Sequence, residues 1–150
     1  MKSKSAAPSC RTILRIIYEQ SEVREAATAS QPSEVAALLS DYVDADREHL
    51  IGLYVNARQQ VIARQVISVG TLSASLVHPR EVFKPAVMLN AAAVIVAHNH
   101  PSGQTSPSPE DRETTKRLQK AGELLGIPLL DHVIIGPGAE PFSFRAGGLL

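Results

Sequence analysis

Two histidines one residue apart, His98 and His100, together with Asp111, form the set of side chains in this sequence best suited to hold a metal ion. Two neutral imidazoles and one carboxylate are a ligand mix that binds catalytic zinc and leaves a fourth position open for water. The ion would lower the pKa of that water towards neutrality, so hydrolysis is the reaction class the trio suggests. The same donors also suit iron(II), and an iron oxygenase would be told apart by metal analysis and by dependence on a 2-oxoacid. A zinc nucleobase deaminase needs a His-x-Glu and a Pro-Cys-x-x-Cys ligand pair. With Cys10 as the single cysteine, that class is excluded.

The elements around these residues must bring them together. His98 follows the apolar run Ala93 to Ala97, which has the length and continuity of a strand covered on both faces. Side chains alternate along a strand, so both imidazoles leave on one side, while Asn99 points away as a structural partner of the loop. Three prolines and a glycine from Pro101 to Pro109 forbid regular structure and make a stiff loop. Ser108 then precedes a helix with Pro109 at its first position, and Gly126 stops it after Leu125. Positions 111, 115, 118, 122 and 125 share one stripe of this helix, which includes Leu118 and Leu125 and turns Asp111 towards the core. A carboxylate on such a face needs a positive partner, and a divalent ion between it and the imidazoles supplies one. A second reading stands beside this one: Ser108-x-x-Asp111 is also a capping box, in which the carboxylate serves its own helix.

The remaining periodicities complete a fold. Ser33 can cap a helix with apolar positions Val35, Leu38, Leu39 and Tyr42 that ends near Asp46. Residues 49 to 69 suggest a hairpin turning at Asn56 to Gln60, and Gly70 ends it. Pro79 can begin a helix through Val82, Phe83, Ala86, Val87 and Leu89. A last strand, Val133 to Ile135, follows Asp131-His132. Helix, hairpin, helix, strand, helix, strand gives an α/β sandwich around a mixed sheet. Residues 1–32 read as an N-terminal tail with a short helical segment at Ile13 to Ile17, and residues 33–150 as one domain.

Composition removes other classes. Fifteen basic residues balance fifteen acidic ones, which excludes the general positive field of a protein held to DNA by its phosphates. Arg112, Lys116, Arg117 and Lys120 do form a basic stripe, read as a solvated helix face, so there is no strong nucleic-acid signal. A lone cysteine fits a reducing compartment, and no apolar window is long enough to cross a bilayer. The stretch Ile13 to Ile17 is broken by Arg15, unlike a signal peptide, so the expected location is the cytoplasm. The letters His98-Asn99-His100 coincide with the name of HNH nucleases, whose residues are spread over a longer ββα unit.

Taken together, His98-x-His100 and Ser108-x-x-Asp111 have the spacing of the JAMM motif of MPN-domain metalloproteases. The chain resembles their RadC branch in longer strings: His78-Pro79-Arg80-Glu81-Val82-Phe83, His98-Asn99-His100-Pro101-Ser102-Gly103, Pro107-Ser108 and Leu129-Leu130-Asp131-His132. The resemblance covers about residues 33 to 150. It implies a zinc metallohydrolase with a cytidine-deaminase-like three-layer α/β/α fold, in which His98, His100 and Asp111 bind the metal and Ser108 helps to stabilise an oxyanion. It further implies cleavage of peptide or isopeptide bonds in a peptide or protein substrate, with a glutamate near the first strand as general base. Glu48 holds that place, although Gly52 follows it four residues on where eukaryotic relatives have glycine after three; Glu81 is the rival. Longer RadC relatives carry an N-terminal helix-hairpin-helix region, and this chain is expected to be a short form without it.

His49, His78 and His132 read as structural, with His132, beside Asp131, the one that could support a ligand from behind. An alternative function is a non-catalytic, metal-stabilised interaction module associated with DNA repair or mobile-element functions.

Overall fold

A computed structural model describes residues 27–70 and 77–150, so most of the N-terminal tail expected over residues 1–32 lies outside the described residues. Five strands form one sheet: β1 (His49–Val55), β2 (Val61–Val69), β3 (Ala93–Asn99), β4 (Leu129–Ile135) and β5 (Phe142–Ser143), in the order β2-β1-β3-β4-β5. Among the described residues four helices accompany them: α1 (Pro32–Leu38), α2 (Ser40–Val43), α3 (Pro79–Met88) and α4 (Pro109–Leu125). β3 and β4 run parallel, joined by the crossover through α4, and every other pairing is antiparallel. The sheet is therefore mixed, as the order of elements predicts.

Alternation along the two central strands sorts their side chains into two cores. Ile51, Leu53, Val55, Ala93, Ile95 and Ala97 pack with Val35 and Leu39. Leu50, Tyr54, Val94 and Val96 pack with Val82, Phe83, Ala86 and Leu118. Helices α1 and α2 thus cover one face, and α3 and α4 the other, in a three-layer α/β/α sandwich. Gly52 has a steric role here: a Cβ on it would come within 2.8 Å of the Tyr54 hydroxyl, which donates to the Val82 carbonyl oxygen at 3.0 Å.

Some boundaries differ from the sequence reading. Helix α1 begins at Pro32, with Gln31 rather than Ser33 at the cap position, because proline's fixed φ suits the first turn. The Glu34 carboxylate then accepts from the N–H groups of Ser30 and Gln31. The helix expected to reach Asp46 breaks at Leu39 and ends at Val43. Arg64 donates to the Leu38 carbonyl oxygen at 3.0 Å, diverting an acceptor at the break, and pairs with Asp41. Val87 is 55% exposed, and Leu125, expected on the inner stripe of α4, is 50% exposed. At Gly122 the chain folds back so closely that a Cβ would lie 2.6 Å from the Ile127 carbonyl oxygen. Strand β5 has only two residues, too few to carry a period in the sequence. Among the described residues, no helix is long and apolar enough to cross a membrane.

Candidate metal centre

His98 is the penultimate residue of β3, paired in register with Leu50 of β1 and Ile134 of β4, and it is fully buried on the face covered by α4. His100 lies just beyond the strand, but its N–H still donates to the Ile135 carbonyl oxygen at 2.8 Å, so the pleat continues to it. The two rings therefore emerge on one side, with their Nε2 atoms 2.8 Å apart. Asp111 meets them from the first turn of α4: Oδ1 stands 3.3 Å from His98 Nε2 and Oδ2 stands 3.5 Å from His100 Nε2. Among the described residues, this is the group of histidines and carboxylates whose ligand atoms, all within 4.8 Å of one another, could hold a metal ion.

The capping box and the metal-capable cluster share one carboxylate. The Ser108 N–H donates to Asp111 Oδ2 at 2.8 Å, and the Asp111 N–H donates to Ser108 Oγ at 3.1 Å. The same carboxylate closes the helix and faces the imidazoles. Burial pushes the Asp111 carboxyl up, but the close imidazoles of His100 and His98 and the hydrogen bond from the Ser108 N–H outweigh it and hold the group well below the usual carboxylate range. The hydrogen bond with Asp111 in turn raises the pKa of His100.

Each imidazole is braced at its other nitrogen. His100 Nδ1 lies 2.5 Å from the Gln104 carbonyl oxygen, an acceptor only, so Nδ1 carries the proton and a neutral ring leaves Nε2 bare. The loop that supplies Gln104 is pinned to the end of β4: a Cβ on Gly136 would lie 3.1 Å from Gly103 Cα and 3.2 Å from the His100 carbonyl oxygen. His98 Nδ1 lies 2.7 Å from His132 Nε2, and His132 Nδ1 lies 2.6 Å from Thr115 Oγ1. Burial keeps the pKa of His132 well below its ordinary value. Thr115 was missed in the sequence; its signal was the four-residue spacing from Asp111 on the buried stripe.

Glu48 stands immediately before β1. The antiparallel pairing of Leu50 with His98, continued outward by two residues, sets Glu48 opposite His100 and on the same face. Its charge adds to the elevation of the His100 pKa. Asn99, on the opposite pleat from the two imidazoles, grips the backbone on both sides of Glu48: Oδ1 accepts from the His49 N–H at 2.7 Å and Nδ2 donates to the Arg47 carbonyl oxygen at 2.9 Å. Asp46, Arg47, Glu48, Gly70 and Pro101 line an open depression of about 270 Å³ beside the cluster. Glu81 pairs with Arg80 and Lys84 on the exposed first turn of α3.

A divalent cation fits this donor set, for two imidazole nitrogens and a low-pKa carboxylate converge with their other polar atoms already bonded. The fold and the cluster define an α/β sandwich with a metal-capable centre at the end of its central parallel pair. The RadC-like JAB domain family matches residues 29–149, and the chain belongs to that family. Its relatives include a UPF0758 protein of Rubrobacter xylanophilus, 52% identical over 122 residues that cover 81% of this chain and 53% of the relative. A UPF0758 protein of Desulforamulus reducens is 54% identical over 120 residues, 79% of this chain and 52% of the relative. One from Enterococcus faecalis is 41% identical over 80% of this chain and 52% of its own length. The chain thus spans about half the length of the curated relatives it matches.

Proposed function

We propose that the chain is a zinc-dependent hydrolase that cleaves a peptide or isopeptide bond with an activated water. The observation that carries this reading is the convergence of His98, His100 and Asp111, with the charge of Glu48 acting on His100. Membership of the JAB family, often metal-dependent hydrolases, supports it. His98 Nε2, His100 Nε2 and an Asp111 oxygen would hold the ion. When bound, zinc supplies Lewis acidity that polarises water and carbonyl oxygens. The Glu48 carboxylate accepts a proton from the attacking water and returns it to the departing amine. Ser108 Oγ accepts from the Asp111 N–H, which leaves its own proton available for the oxyanion that develops on the substrate carbonyl.

Glu48→Gln and Asp111→Ala test this reading on the purified protein, by metal content and by hydrolysis of a peptide library and isopeptide-linked conjugates. Glu48→Gln should keep stoichiometric zinc and lose about 10²–10⁴ in turnover, whereas Asp111→Ala should release the metal. Unchanged turnover in Glu48→Gln would remove Glu48 from the chemistry. Zinc binding by the parent without hydrolysis of any substrate would favour the non-catalytic interaction module.

A further inference from the structure

We propose that His132 and Thr115 are positioning residues that hold the His98 ring in the one tautomer able to offer Nε2 to a metal; this rests on the metal-centre reading above. Thr115 has one hydroxyl proton and two neighbours at bonding distance. The Asp111 carbonyl oxygen, 2.7 Å away, can only accept, so the proton points there. His132 Nδ1, 2.6 Å from the same hydroxyl oxygen, is then the N–H that donates to it. One proton on the fully buried His132 ring serves both of its contacts, as donor at Nδ1 and acceptor at Nε2. Its Nε2 is therefore bare and accepts from His98 Nδ1 at 2.7 Å. His98 in turn has its proton on Nδ1 and a bare Nε2 facing His100 and Asp111. The reverse order would require two protons on one hydroxyl.

The relay begins at one metal-binding residue and ends at another. Thr115 follows Asp111 by one turn of α4, so the turn that presents the carboxylate also anchors the chain of hydrogen bonds behind His98. Phe144 stacks on the His132 ring at 4.7 Å and 10°, which fixes its plane. The His98 ring is thus oriented before any ion arrives. Partners of this kind behind a ligand govern metal affinity by about 10- to 100-fold.

Two measurements on the full chain decide the matter. Long-range ¹H–¹⁵N spectra of the metal-free protein at mildly alkaline pH should show His98 protonated at Nδ1, and an Nε2–H ring would overturn the proposal. Zinc affinity, measured by chelator competition, should weaken about 10- to 100-fold in His132→Phe, which keeps a ring against Phe144, and in Thr115→Val, which keeps the shape without the hydroxyl. His132→Gln and Thr115→Ser, which restore the acceptor and the hydroxyl, should recover most of the loss. Parental affinity in folded Thr115→Val and His132→Phe would also overturn it. A parent that binds no zinc defeats the metal reading instead, while the His98 spectrum still decides the relay.

Discussion

His98 and His100 are the same residue two positions apart, yet one is sealed inside the sheet and the other is 14% exposed at the start of a loop. His98 leans on His132 of β4, which is held in turn by Thr115 of α4. His100 leans on a backbone carbonyl of its own loop, at Gln104. The strand-borne half of the centre, which also includes Asn99 and the backbone flanking Glu48, inherits its rigidity from the core. The loop-borne half, with Ser108 and Asp111, obtains it from a helix cap and from the close contact of Gly103 with Gly136. The two imidazoles of the cluster are thus held by different means, one by the packed core and the other by a helix cap and a loop contact.

Alanine at each histidine gives the largest contrast. Both substitutions should abolish stoichiometric zinc, but His98→Ala also leaves a cavity and strips His132 of its partner, at about 2–4 kcal/mol of stability. His100→Ala should stay within about 1 kcal/mol. Chemical denaturation of the metal-free variants measures both, and equal losses would end the distinction between the two halves. On the loop side, Ser108→Ala should lower turnover about a hundredfold at unchanged zinc content and remove about 1 kcal/mol of cap stability. A rate equal to the parent's would leave Ser108 as a cap alone. On the strand side, Asn99→Ala frees the backbone around Glu48 and should cost about tenfold in kcat with zinc retained. A change in KM alone would show that Asn99 does not aim the carboxylate.

The smallest effect is the pH dependence of the metal-free protein. The hydrogen bond with Asp111 raises the pKa of His100 above 6.5, so the stabilisation is fully present below that value and is lost as pH rises through the raised pKa. Asp111, held low, contributes above its ordinary 3.8 and loses that contribution as pH falls. Burial acts in the opposite sense on His132, whose cost appears below 6.5. Subtracting the profile of His100→Ala isolates the alkaline decline, which zinc should cancel because the ion replaces the proton. A difference profile that is flat above 6.5 would contradict the pairing of His100 with Asp111.

The half of the centre carried by the chain's strongest local signals was legible in the sequence. The buried run Ala93 to Ala97 fixed which side His98 and His100 share, and the Pro-rich loop with Ser108 and Pro109 located the start of α4. The sandwich itself followed from the order of periodic segments. What could not be read was long-range or short. The His132–Thr115 contact joins positions on β4 and α4 that no local spacing relates. The two residues of β5 leave no pattern, and the break at Leu39 depends on Arg64 reaching from β2 to α1. Ser108-x-x-Asp111 offered a cap or a ligand, and the geometry shows the cap while leaving the carboxylate lone pairs enough for both roles.

The alternation along β3 has one more consequence. A single inserted or deleted residue between Ala93 and His98 would send Asn99 to the face beneath α4 and turn the imidazoles towards α1. The same slip would drive the wrong halves of the strand into both apolar layers. Length changes within this segment should therefore be forbidden by folding and by chemistry together, so variation in relatives that still work ought to be confined to substitution there and to insertion elsewhere.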